Sequence, residues 1–152
     1  NNSSIKYLKK LLLPLSNLVT PNIPEAEALT GYSILNKEDM IIAAKKILNM
    51  GSKNVLLKGG HLKSKMICDI LATKKGIKVF SKRKIKTKNT HGTGCTLSSA
   101  LATCLSQKKN VFNSCKISLN YVNQAITYAP RYGKGYGPLN HLVLLNSRNT
   151  DV

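Results

Sequence analysis

The stretch "NTHGTGCTLSSALATCLS", Asn89 to Ser106, sets two glycines around a threonine, then a cysteine, directly ahead of an apolar-periodic run. Gly92 and Gly94 open backbone angles closed to other residues and leave the amides uncovered for a close-approaching ligand. From Cys95 onward the period becomes helical, with Leu97, Ala100, Leu101, Cys104 and Leu105 on one face. The free amides and dipole of the first turn then point back at Gly92, Thr93, Gly94 and Cys95, a ready place for phosphate. A thiol at the mouth of such a turn is a candidate for chemistry. The alternative is a small cysteine capping a helix, the reading given to Cys68, Cys104 and Cys115.

Upstream of this turn, strands and helices alternate. Ile5 to Leu13 reads as a short amphipathic helix stopped by Pro14, and "NLVTPN" (Asn17 to Asn22) as a short buried strand broken at Pro21. "PEAEALTG" is a helix with proline in its first turn and Gly31 as its C-terminal cap, and Asn36 caps a longer helix through Met50. "VLLKGG" (Val55 to Gly60) is a buried strand ending in glycines, and Ile67–Thr73 with Ile77–Ser81 straddles "KKG" as an edge hairpin. Downstream the chain is helical, from Gly94 to Gln107 and from Val111 to about Ala129. This order predicts an α/β fold with parallel strands and ligands at their carboxyl ends.

Bulk properties narrow the function classes. The 152 residues are one domain's worth of chain, and the 42% hydrophobic content is that of a globular protein. The formal charge of +18 invites a nucleic-acid or membrane reading. The lysines, however, are spread along the chain, and the densest cluster, "SKRKIKTK" (Ser81 to Lys88), lacks interleaved aromatics for base stacking. A solvated face or a phosphate-attracting rim is the preferred reading, with neither nucleic acid nor membrane expected as a partner. The four cysteines form no CxxC pair, and the opening residues lack a leader-peptide pattern, so free thiols and a cytoplasmic address are expected. His61, His91 and His141 have no ligand-like spacing with the cysteines, which argues against zinc. Two look-alikes fail: "GTGCTLS" lacks the P-loop lysine, and "GKGYGP" (Gly133 to Pro138) does not join a strand to a helix, so it reads as a structural loop.

Four segments, "TPNIPEAEALTG", "VLLKGGHL", "NTHGTGCTLSSAL" and "GKGYGPLNH", occur in the order and approximate spacing of the hydroxymethylpyrimidine/phosphomethylpyrimidine kinase family of thiamine biosynthesis, within the ribokinase-like superfamily. The chain resembles that family from about Leu11 to His141. The resemblance implies a three-layer α/β/α fold with a mainly parallel sheet. It also implies correspondence to the C-terminal part of a single kinase domain, truncated at the N-terminus, because family members carry a further N-terminal segment with most of the pyrimidine pocket.

By the same resemblance, ATP and Mg²⁺ serve the reaction, the other substrate is a small pyrimidine, and a complete kinase is compatible with a homodimer. The Gly92, Thr93, Gly94 and Cys95 amides stand where the family keeps its anion hole, with Cys95 as the base. The positive end of a helix and nearby lysines favour the thiolate that such a base requires. Asn22 and Glu25 reproduce the superfamily's NxxE pattern, which holds Mg²⁺ indirectly through its waters; on its own, Glu25 equally suits the positive end of a helix. Lys58, Gly59, Gly60 and Thr90 take nucleotide positions, although a lysine at a strand end is ordinarily just solvated. His61 is as well explained as a loop histidine bonded to backbone. Pyridoxine or pyridoxal kinase activity, a non-catalytic remnant that keeps only nucleotide binding, and a basic nucleic-acid module are the competing readings.

Overall fold

The computed structural model describes residues 2–62, 64–130 and 132–146. Two compact units divide the chain, Asn1–Lys84 and Ile85–Val152.

In the first unit, helix α1 (Asn2–Tyr7) widens into a π-helical turn, Leu8–Leu12, and then tightens into a 3-10 turn, Leu13–Leu15. Pro14 does not stop the helix as expected. It lies in the first positions of the 3-10 turn, where its missing N–H costs no hydrogen bond, and the chain becomes extended only at Ser16. Helix α2 (Ile23–Thr30) starts at Asn22 and ends at Gly31, whose φ of 64° is the left-handed cap read from the sequence. Helix α3 (Lys37–Asn49) starts at Asn36, whose side chain accepts from the Asp39 amide.

Strands β1 (Asn54–Leu57), β2 (Met66–Thr73) and β3 (Gly76–Arg83) form one sheet in the order β1-β2-β3, with both pairs antiparallel. This corrects the expectation of a mainly parallel sheet for the described residues. The link between β1 and β2 is too short for the crossover of about a dozen residues that a parallel return needs, so β2 folds straight back. Parallel pairing survives on the other side of β1. There Val19 bridges Val55, Asn22 bridges Lys58, and the Val19, Leu56 and Lys58 amides bond to Asn54, Val19 and Pro21 at 2.8–3.1 Å. The "NLVTPN" strand is thus a pair of bridges. Met40, Ala43, Ala44 and Ile47 of α3 share a core cluster with Val55, Leu57, Ile70 and Ala72 of the sheet and Ala26 of α2. Each large apolar side chain buried there contributes about 1.5–3 kcal/mol.

The second unit is helical: α4 (Thr93–Ser106), α5 (Val111–Thr127) and the short α6 (Val143–Asn146). Helices α4 and α5 pack together, burying Leu97, Leu101 and Cys104 on one and Cys115, Leu119 and Val122 on the other. Leu139 and Val143 join Ala125 in a smaller cluster, which ties the segment after the glycine loop to α5. Among the described residues, no helix is long and apolar enough to cross a membrane.

Candidate functional site

In the second unit, the chain enters α4 through Gly92 at φ 83° and ψ 1°, a left-handed conformation open to glycine and costly for a side chain. No side chain caps the helix. The Thr93 amide and hydroxyl both donate to Thr90 O, at 3.3 and 2.9 Å, and the Thr96 amide and hydroxyl both donate to Gly92 O at 2.9 Å. The first and fourth residues of the turn are thereby satisfied, while the Gly94 and Cys95 amides have no acceptor in the helix. Cys95 is exposed; Cys104 and Cys115 are buried, and Cys68 is half-buried beside Ser81. The sequence-derived residues Thr90, Gly92, Thr93, Gly94 and Cys95 therefore form one turn, with two free amides next to the only exposed thiol among the described residues.

The "GKGYGPLNH" segment braces this turn from behind. The His91 amide donates to Gly137 O at 3.3 Å and His91 bridges Pro138 in parallel. Gly137 lies so close to the Asn89 side chain that an added Cβ would overlap it. Thr96 Oγ1 and His141 Nε2 are 3.0 Å apart, and the Tyr121 hydroxyl donates to His141 O at 3.0 Å. The sequence offered no partner for His141, because Thr96 lies forty-five positions away in the chain.

In the first unit, Asn22, Glu25, Lys58, Gly59 and Gly60 gather at the end of β1, since Asn22 and Lys58 are bridge partners. Asn22 and Glu25 form a reciprocal capping box: the Asn22 amide donates to Glu25 Oε2 at 2.7 Å, and the Glu25 amide to Asn22 Oδ1 at 2.9 Å. NxxE thus has a structural purpose of its own, with Glu25 exposed. Among the described residues, no group of three or more His, Cys, Asp or Glu side chains could enclose a metal. One exposed carboxylate suits Mg²⁺ instead, which keeps most of its waters and needs few protein ligands.

Gly59 and Gly60 differ. An added Cβ on Gly59 would overlap the Cys68 carbonyl and come within 3.0 Å of Met40 Cε, whereas Gly60 has open space around it. The Gly59 amide donates at 3.0 Å to Oδ1 of Asp69, a carboxylate on β2 that is 4% exposed. Burial pushes the Asp69 carboxyl above its ordinary range; the Gly59 hydrogen bond, Lys82 and Lys58 oppose the shift. Lys84 Nζ donates to the Gly60 and Leu62 carbonyls at 3.0 and 3.2 Å. Sequence reasoning missed both residues. The signal for Asp69 was a lone acid amid the apolar run "MICDILAT"; Lys84 sat inside a cluster read as a solvated face or a phosphate-attracting rim. His61 is exposed.

Comparison with known proteins gives the family and the fold. The profile of the phosphomethylpyrimidine kinase family matches residues 1–140. A hydroxymethylpyrimidine/phosphomethylpyrimidine kinase of Staphylococcus aureus is 39% identical over 153 residues, covering 99% of this chain and 55% of the relative. A thiamine biosynthesis bifunctional protein, ThiED, of Geobacter sulfurreducens is 44% identical over 143 residues, covering 94% of this chain and 29% of the relative. Among solved structures, an ADP complex of Bacillus subtilis pyridoxal kinase superposes with a TM-score of 0.89 at 32% identity, over 95% of this chain and 55% of that one. The chain thus spans about half the length of the Staphylococcus aureus kinase and of the Bacillus subtilis structure. Its fold is the ribokinase-like α/β fold of these kinases, and on the match of residues 1–140 the chain belongs to the phosphomethylpyrimidine kinase family.

Proposed function

We propose that this chain supplies the nucleotide and phosphoryl-transfer part of an enzyme that moves the γ-phosphate of ATP to 4-amino-5-hydroxymethyl-2-methylpyrimidine and to its monophosphate. Its two units are then parts of one kinase domain. The observation that carries the reading is the α4 turn, where two amides without helical acceptors flank an exposed thiol. Phosphoryl transfer needs donors for the oxygens of the moving group, neutralised charge, and a base for the proton of the attacking alcohol. The Gly94 and Cys95 amides, with the helix dipole behind them, are the donors. Cys95, as thiolate, takes the hydroxymethyl proton. Lys58 offsets phosphate charge, with Gly59, Gly60 and Thr90 in the nucleotide contacts, and Glu25 beside Asn22 orients waters of Mg²⁺. The ion, when bound, neutralises charge on the phosphate oxygens.

A second reading, pyridoxal as the accepting alcohol, is favoured by the likeness to Bacillus subtilis pyridoxal kinase. The test is ADP release by two hybrids, this chain joined to the remaining segment of the Staphylococcus aureus kinase or to that of the Bacillus subtilis pyridoxal kinase, each given the acceptor of its joined segment. The pyrimidine hybrid is expected to exceed the pyridoxal hybrid in kcat/KM by at least about tenfold. The reverse order would replace the first reading with the second. Release with neither acceptor, at intact ADP binding, would favour a remnant that keeps only the nucleotide.

A further inference from the structure

The main-chain pairing of β1 with β2 ends at Leu57 and Ile70. One step further, an ordinary ladder would set Lys58 opposite Asp69. The Lys58 amide, like that of Leu56, faces the other neighbour and donates to Pro21 O at 2.9 Å. The next amide, that of Gly59, faces β2 and meets the side chain of Asp69 at 3.0 Å. A carboxylate thus takes the place of a strand carbonyl at the point where the chain leaves the sheet. The fit is close, because the Cys68 carbonyl and Met40 leave no room for a Cβ at Gly59. Asp69 is also one of only 6 acidic residues in the chain, and it is 4% exposed. Keeping a charged side chain there is costly unless it is bonded and compensated. Its compensation comes from the Gly59 amide, Lys82 and Lys58.

We propose that Asp69 is a positioning residue for the nucleotide phosphates: its hydrogen bond to Gly59 holds the Lys58–Gly60 turn in the arrangement that receives them. The proposal rests on the reading of Lys58 to Gly60 as nucleotide contacts, and it adds a residue ten positions away that touches no ligand. A carboxylate kept only for strand stability would have no bearing on nucleotide affinity at unchanged fold.

The experiment uses the 152-residue chain, without acceptor, in two arms. Amide exchange followed by NMR reads the brace, and calorimetry with ADP and Mg²⁺ reads its effect. In the wild type, the Gly59 amide is expected to exchange at least about tenfold more slowly than an unbonded amide. Asp69→Ala is expected to lose that protection and weaken ADP by about tenfold or more, the usual scale for a hydrogen bond to a charged group. Asp69→Asn keeps an acceptor without the charge, so it is expected to restore protection and to bind ADP with intermediate affinity. Should Asp69→Ala not fold, Asp69→Asn decides: a Kd raised at least about threefold at a Tm no lower than wild type supports the proposal, and an unchanged Kd overturns it. An Asp69→Ala chain that folds and binds ADP within about twofold of wild type overturns it too, as does an unprotected Gly59 amide in the wild type. Lys58→Met that leaves ADP affinity intact, with Gly59 still protected, overturns instead the nucleotide reading of the turn.

Discussion

The two glycine turns of this chain reach similar ends by different construction. The α4 turn is made from within: Gly92 supplies the left-handed entry, Thr93 and Thr96 bond back to carbonyls three and four residues earlier, and two amides are left over. The turn after β1 is made from outside, by Asp69 of β2 holding the Gly59 amide and Lys84 holding two carbonyls. A self-contained turn leaves its amides to a ligand. A turn braced by neighbours spends them on the scaffold and presents a lysine instead. The contrast suits the chemistry assigned to each, since amides aimed at developing charge stabilise a transition state and a flexible ammonium serves ground-state phosphate binding.

The largest effect expected from this difference is on turnover. In the kinase assay with the joined segment, Cys95→Ser should cut kcat by at least about a hundredfold, the scale of losing a general base. ADP affinity should barely move, because the helix-terminal amides remain. A near wild-type rate with an unchanged pH profile would reduce Cys95 to a helix residue. Next comes a glycine series read by urea unfolding. Gly59→Ala drives a methyl into the β2 backbone and should cost about 2–3 kcal/mol, at the upper end of overpacking. Gly92→Ala has open space and should cost about 1–2 kcal/mol, from its left-handed φ alone. Gly60→Ala should be close to neutral. Equal losses at Gly59 and Gly60 would dissolve the distinction between a packed and an open glycine.

Smaller effects concern the first unit. Glu25→Gln keeps the capping-box oxygen and should change stability by less than about 0.5 kcal/mol. It removes the charge proposed to orient waters of Mg²⁺, so the Mg²⁺ concentration giving half-maximal rate should rise severalfold. No change in that concentration would leave Glu25 as a cap only. The smallest effect is one of pH. Asp69 has its carboxyl raised in the folded state, so its contribution to stability is fully present below the ordinary carboxylate range and is lost as pH rises through the raised value. Asp39 is lowered, chiefly by the Leu35 amide and then by the Tyr32 hydroxyl; its contribution is present above the ordinary range and lost as pH falls through the lowered value. Thermal unfolding followed across mildly acidic pH should therefore flatten in Asp69→Asn and not in Asp39→Asn, whose difference from wild type should vanish only in stronger acid.

What the sequence displayed of this architecture follows the reach of each contact. The α4 turn was legible because its determinants are contiguous in the chain: two glycines, a threonine and the helical period after Cys95. The caps at Gly31 and Asn36 were legible for the same reason. Asp69, Lys84 and His141 act across ten, twenty-four and forty-five positions, and no local pattern carries that information. The sheet direction was misread because alternation of strand and helix speaks for parallel pairing. The link after β1 holds no helix, and only the β1–Asn22 side keeps the parallel sense. Asn22 and Glu25 were read as metal-oriented and prove also to start α2, so one motif serves the fold whatever else it serves.

The contact between Thr96 and His141 settles a matter of proton inventory. A threonine hydroxyl has a single hydrogen, and in Thr96 it is given to the Gly92 carbonyl at 2.9 Å. The imidazole nitrogen 3.0 Å away must then be the donor, which selects the tautomer carrying its hydrogen on Nε2. Acquiring a second proton on Nδ1 leaves that donor in place. The link from the loop after Gly133 to the mouth of α4 therefore runs in one sense, from ring to hydroxyl to the Gly92 carbonyl, and a single histidine tautomer completes it.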